Sequence, residues 1–276
     1  MVGRPADRVP GALASVSSAA SPPAGAATSE EAEVDLDAEL AGAVAPVIGD
    51  AAVSVAVLDS DSGAVAAYGG DAGYDTASIV KVDVLAALLL KAQDEGRALS
   101  GAEHGYAEAM IRRSDNASAT RLWRVIGGAE GLDAANARLG LTSTTAAGAW
   151  GLTQTTARDQ VRLLRAVFGR VADSVMSADS REYVRELMGR VDADQQWGVS
   201  AAGTAWSLKN GWMPRTTTGL WDINSIGRVV SGGRSCLVAV LSAGHATKEG
   251  GIALVESVAR AAVGAVVGAA GVSDAS

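Results

Sequence analysis

The chain of 276 residues is poor in several residue types on which common chemistries depend. It has one cysteine, Cys236, which excludes a disulfide framework within the monomer and any cysteine-rich metal site. It has two histidines, His104 and His245, far apart in sequence, which leaves little for a histidine-held metal or a Ser-His-Asp mechanism. Basic charge is in deficit: 23 Lys and Arg against 31 Asp and Glu give a net charge of −8, so there is no electrostatic footprint for nucleic acid. The Ala- and Val-rich stretch 247–268 is interrupted by Glu256 and Arg260, and is therefore not read as a membrane span. The nucleophile elbow G-x-S-x-G, the Walker loop, G-x-G-x-x-G and H-E-x-x-H are all missing.

What is present suits a globular core, with 48% apolar and 20% charged residues. Residues 1–38 are small, polar, Pro-containing and then acidic, without periodicity, and read as a flexible tether. The alternative for this segment is a degenerate export signal, since Arg4 and Arg8 precede a weak, Ser-rich apolar run; it is no convincing signal peptide. Residues 39–270 read as one domain. Short β-branched runs at 52–60 and 63–70, joined by Asp59-Ser60-Asp61-Ser62-Gly63, predict a hairpin. Residues 78–96 predict a helix apolar all round and hence buried, closed by Gly96. Further helices are predicted at 101–113, 116–126, 129–139, 154–168 and 177–189, strands at 204–212, 221–231 and 235–243, and a last helix at 247–268. The expected architecture is α/β. A mainly antiparallel five-stranded sheet is shared by residues 39–75 and 203–270, and a helical part spans 76–202. The junction of the two is a natural place for a cleft.

Lysine is the informative scarcity. Of the 23 basic residues only Lys81, Lys91, Lys209 and Lys248 are not arginine. An ammonium, unlike a guanidinium, can lose its proton near neutral pH when buried or crowded by another cation. Two of the four stand in short motifs. Ser78-Ile79-Val80-Lys81 is S-x-x-K and Lys209-Asn210-Gly211 is K-x-G; Ser114-Asp115-Asn116, or S-D-N, lies between them. S-x-x-K and K-x-G are cheap matches, whereas S-D-N is scarce in a chain with four asparagines. Three positions along a helix, Lys81 shares a face with Ser78 and can reach its hydroxyl. Burial and the second ammonium, Lys209, would lower the Lys81 pKa and make it a base. Ser114 can bridge the two lysines and pass a proton to a leaving nitrogen, and Asn116 can orient Lys81 and an amide. The Ser78 N–H, in a first helical turn, is half of an oxyanion hole. Each residue also has a plainer reading: Ser78 and Ser114-Asp115 as helix caps, and Lys209 as a solvated strand lysine.

Taken in order, with S-x-x-K opening a buried helix, S-D-N between helices and K-N-G on a strand, residues 40–268 resemble the penicillin-recognising serine acyl-enzymes. These are the class A β-lactamases and the penicillin-binding proteins. The resemblance implies Ser78 as nucleophile, Lys81 as acylation base, Ser114 as proton relay, Asn116 as orienting group and Lys209 as electrostatic support. It adds the Trp212 N–H as the second oxyanion donor, and Asn210 and Gly211 as substrate contacts. It further implies work outside the cytoplasm on a small-molecule or peptide amide, by a monomer that needs no metal or organic cofactor.

Three departures from that pattern bear on function. The 36 positions from Ser78 to Ser114 are fewer than usual, which suggests a trimmed helical part and an open cleft. Asn210 replaces the hydroxyl residue of K-T-G, so Arg215 and Arg228 are the candidate partners for a substrate carboxylate. No Asp or Glu occurs from Ala134 to Arg158, where the family carries the glutamate that activates water for deacylation. The expectation is a serine acyl hydrolase that acylates and releases its acyl group slowly. The alternatives are a penicillin-binding sensor or trap and a binding module that does not turn over. Cys236 reads as a buried core thiol. Trp197, Trp206, Trp212 and Trp221 cluster near the K-N-G strand, either packing the sheet or, for Trp212 and Trp221, lining the cleft.

Overall fold

The computed structural model describes residues 35–170, 172 and 174–273. Most of the 1–38 segment thus lies outside the described residues. The first described element is a helix, α1 (Leu36–Ile48), which starts ahead of the expected boundary. Its signal was in the sequence: Asp35 accepts from the N–H groups of Asp37 and Ala38 as an N-cap, and Leu40 and Val44, one turn apart, are fully buried.

The sheet has five antiparallel strands in the order β2-β1-β7-β6-β5. They are β1 (Ala52–Asp59), β2 (Val65–Tyr68), β5 (Ala205–Pro214), β6 (Trp221–Ser231) and β7 (Arg234–His245). β1 and β2 form the expected hairpin, and β7 returns from the far end of the chain to pair with β1 from Ala52↔Ala243 to Asp59↔Cys236. Between β6 and β7 the glycines Gly232 and Gly233 both have positive φ, the backbone that a two-residue hairpin turn demands. β1 and β7 are apolar on both faces because both faces are covered. Val53, Val55, Val57, Val238 and Val240 pack toward α1 and the last helix, α8 (Lys248–Ser273), while Ala56, Leu58, Leu237 and Leu241 pack toward the helical part.

The helical part is built around α2 (Val80–Asp94), of whose fifteen residues twelve are buried. Around it stand α3 (Gly101–Arg112), α4 (Asn116–Val125), α5 (Gly128–Leu139), α6 (Ala157–Phe168) and α7 (Ala178–Met188). Side-chain caps set the starts of four of these: a Ser100/Glu103 capping box for α3, Asp115 for α4, Thr156 for α6 and Ser177 for α7, while α5 starts after Gly127 without one. The helix expected from 154 begins only at Ala157. Thr156 caps it, and Gln154–Thr155 is instead a strand, β4, paired with β3 (Tyr74–Asp75). By length and composition α8 is long and apolar enough to cross a membrane despite Glu256 and Arg260, so those charges do not exclude it as expected. In the fold its buried residues, Val255, Val258, Ala259, Ala262, Val263 and Val266, are spent on the sheet. Cys236 is buried in β7, and burial pushes its thiol up to about 11, which leaves it inert.

Two residues after Lys81, Asp83 is fully buried, with its Oδ2 unpartnered and Gln160 Nε2 3.5 Å from its Oδ1. Burial pushes its carboxyl up to about 7. A carboxyl raised in the folded state holds its proton where the unfolded chain has lost it. Stability therefore falls as pH rises from about 4 to about 7, by on the order of 1 kcal/mol per unit, and levels off above. Asp83→Asn should remove that slope. Unfolding in urea should show the variant gaining on the wild type between those pH values; a constant difference would mean that Asp83 is ionised in the fold.

Candidate active site

Ser78 sits in a single 3-10 turn, Ala77–Ile79, that runs into α2, so it is not the N-cap of that helix. The turn is held from several sides. Thr76 N–H donates to Thr153 O, and Asn224 Nδ2 on β6 donates to the carbonyls of Asp75 and Thr76. β5, the edge of the sheet, passes directly behind. A Cβ on Gly211 would stand 2.8 Å from Ser78 N and from Thr76 O, so glycine is the residue that lets the strand approach. Ala77 has φ +47, and Ser114 has φ +56. They are the two non-glycine residues with positive φ among the described residues, and both flank the putting-together of Ser78 and the lysines.

Lys81 and Lys209 are both buried, at 0% and 1% exposure, and both reach Ser114. Lys81 Nζ donates to Ser114 O at 2.6 Å, Ser114 Oγ at 3.0 Å and Asn116 Oδ1 at 2.8 Å. Lys209 Nζ lies 3.1 Å from Ser114 Oγ and donates to Asn210 O at 2.8 Å. All three Lys81 protons are thus placed, and none goes to Ser78 Oγ; a bond to the nucleophile requires Lys81 to give up a proton or a partner. Two ammonium ions sharing one oxygen repel by about 3 kcal/mol at an effective dielectric near 20, so both are not charged together without cost. Burial brings Lys81 down to about 7, with Asp115 opposing. Lys209 is lowered well below its ordinary range, by burial first and then by the neighbouring Lys81 ammonium. In the S-D-N segment the labour is divided. Asp115 caps α4 through Ser118 N at 2.7 Å, while Ser114 and Asn116 face the lysines.

The cleft beside Ser78 has a volume of about 460 Å³. Ser78 and Asn116 line it, with Trp150, Gly151 and Leu152 across from them and the Trp212–Pro214 end of β5 at one side. Neither histidine lines it. The structure brings Ser78, Lys81, Ser114, Asn116 and Lys209 together, with Gly211 against the Ser78 turn. It does not do so for the Asn210 side chain. Strand alternation turns that side chain to the reverse face, where Nδ2 donates to Gln195 O and Trp197 O and Oδ1 accepts from Ser225 Oγ. The Trp212 ring is on that reverse face too, 5.9 Å from Trp197 and under Lys248, so what Trp212 offers the cleft is its backbone. Arg215 is on the cleft face but ion-paired to Asp75 and, at 3.7 Å, to Asp222. Arg228 bonds Ser235 near the opposite turn, about 20 Å along β6 from the cleft. Neither arginine is free to take a substrate carboxylate in the expected way.

Two residues at the site were not among those expected. The Trp150 ring stands 5.0 Å from Lys81 Nζ, and its Nε1 donates to Thr120 Oγ1. It lies in the acid-free segment, whose neighbouring acids are structural: Asp159 accepts from Ser143 N and Thr144 Oγ1, and Asp133 from Ala146 N. Asn224, which fixes the Ser78 turn, carried no motif; that it is one of four asparagines was the only hint.

Residues 105–266 match the profile described as the beta-lactamase enzyme family, a range that holds Ser114, Asn116 and Lys209 and begins after Ser78 and Lys81. Among solved structures, a class A beta-lactamase from Bacteroides cellulosilyticus superposes with a TM-score of 0.71 at 17% identity, over 85% of this chain and 99% of that one. The TLA-1 extended-spectrum beta-lactamase gives 0.73 at 18%, over 84% and 99%. PBP-A gives 0.70 at 22%, over 84% and 96%. A curated relative from Mycobacterium tuberculosis, named as the candidate lipoprotein LppW, is 36% identical over 115 residues, 41% of this chain. That match spans about a third of the relative's length, 36%.

Gly211→Ala should crowd backbone atoms of the Ser78 turn and destabilise the fold by about 1–3 kcal/mol. A melting temperature equal to that of the wild type would mean that β5 does not press on the turn.

Proposed function

The chain belongs to the beta-lactamase enzyme family, and we propose that it is a serine acyl-enzyme hydrolase or transferase in which Ser78 attacks an amide or β-lactam carbonyl. The observation that carries this reading is the Ser114 hydroxyl, within hydrogen-bond distance of both Lys81 and Lys209, beside a half-buried Ser78 at the wall of a cleft. Neutral Lys81, available because burial lowers it to about 7, takes the Ser78 proton. Ser78 Oγ bonds the carbonyl carbon, and the resulting oxyanion is met by the N–H groups of Ser78 and Trp212. Collapse breaks the carbon–nitrogen bond, and the proton on Lys81 passes through Ser114 to the leaving nitrogen. The acyl group stays on Ser78 as an ester until water or an amine takes it. Nothing in this sequence calls for a metal or an organic cofactor.

Release of the acyl group is slow in this proposal. Among the described residues no acid lines the cleft to activate a water, and the Trp150 ring stands beside Lys81. The same feature favours the second reading, a sensor or trap that acylates and does not turn over. By its family and its lipoprotein-named relative, the compartment we propose is extracytoplasmic.

Intact-mass measurement with a penicillin separates these possibilities. The wild type should gain one adduct that persists for minutes or longer, and Ser78→Ala should gain none. Lys81→Ala should acylate about 10²–10⁴ times more slowly, the usual worth of a general base. An adduct on Ser78→Ala would sink the assignment of the nucleophile, and wild-type turnover within seconds would sink the slow release. Because the base acts when neutral, the acylation rate should rise with pH through about 7 and then level off; a rate that falls over that range would remove Lys81 from the role.

A further inference from the structure

Among the described residues, those that line the Ser78 cleft carry no formal charge. Ser78 and Asn116 are its polar side chains, and Trp150, Leu152, Met213 and Pro214 present apolar surface. The cations nearest to it are committed elsewhere. Lys81 spends three protons on Ser114 and Asn116, and Lys209 is held by Ser114 and Asn210. Arg215, which points to the cleft face from the end of β5, is ion-paired to Asp75 and Asp222, both nearly buried. Burial holds the Asp222 carboxyl above its ordinary range, yet Asp75 alone neutralises the guanidinium. Asn210, whose amide could have donated to an anion, donates to Gln195 O and Trp197 O behind the strand. Arg113, next to Ser114, is exposed and does not line the cleft.

A carboxylate brought into such a place loses its water and gains no ion pair, whereas an apolar group gains surface burial. We propose that this cleft selects acyl donors that carry no negative charge beside the scissile carbonyl: neutral amides, lactams or esters with an apolar, aryl-sized group against Trp150 and Leu152. The inference rests on the serine acyl-transfer reading and narrows it to a substrate class. At about 460 Å³ the cleft holds one such group.

Benzylpenicillin and its methyl ester differ in that one charge. Second-order rates of Ser78 adduct formation, followed by intact mass for each probe, test the preference. The ester should acylate about tenfold or more faster than the acid, a conservative value for one unpaired buried charge. An acid as fast as its ester, or faster, overturns the inference and leaves Ser78 standing as the nucleophile. If neither probe forms a Ser78 adduct on folded protein, both readings fall. A second arm uses the double variant Asp75→Asn, Asp222→Asn, which releases Arg215 toward the cleft. It should raise the acid-to-ester rate ratio about tenfold. The ratio is insensitive to partial loss of folded protein, and an unchanged ratio overturns the inference.

Discussion

One hydroxyl between two buried ammonium groups organises this molecule. Ser114 Oγ lies 3.0 Å from Lys81 Nζ and 3.1 Å from Lys209 Nζ, and both lysines are shut off from water. Such a pair costs several kcal/mol if both members keep their charge, so the fold presses one of them toward the neutral form. Burial brings Lys81 down to about 7, and in the proposed reaction that lets it serve as the base. Ser114 has positive φ, with its carbonyl and its hydroxyl both accepting from Lys81, and Asp115 anchors the bend by capping α4.

The remaining parts of the site are positioned by close approach rather than by charge. β5 is an edge strand, and at Gly211 it lies against the backbone of the Ser78 turn at a distance no side chain would allow. Asn224, one strand in, ties down the carbonyls of Asp75 and Thr76. The five-stranded sheet, sandwiched between α1 and α8 on one face and the helical part on the other, supplies the stiffness that keeps a strained turn in place. Family membership bears on the reaction type; the neutral, tryptophan-bearing wall is the feature on which the proposed acyl preference and slow release rest.

Much of the architecture was legible because its signals are local. The hairpin, the all-apolar α2, the capped helices and the three returning strands all follow from periodicity and capping residues. The signal of α1 is weaker: its start continues a small, acidic run, and Leu40 and Val44 are its two buried positions. The start of α6 lies later than expected because Thr156, directly after the short strand Gln154–Thr155, is the helix cap, with no loop to separate the two. S-x-x-K, S-D-N and K-x-G could be picked out since each motif is a few residues long. The fates of Asn210, Trp212, Arg215 and Arg228 could not, since each depends on which face of a strand meets which partner.

The order of residues alone determined that two scarce lysines and two serines would stand in a helical and strand framework able to bring them near one another. It also determined that residues 134–158 bring no acid to the cleft. Only the folded chain decided that both lysines would be buried against one hydroxyl, that Asp75 would pair with Arg215, and that Trp150 would stand beside Lys81. The reason is physical: burial and pairing are properties of the space between distant segments, and a pKa or a neutralised charge exists only once that space is closed.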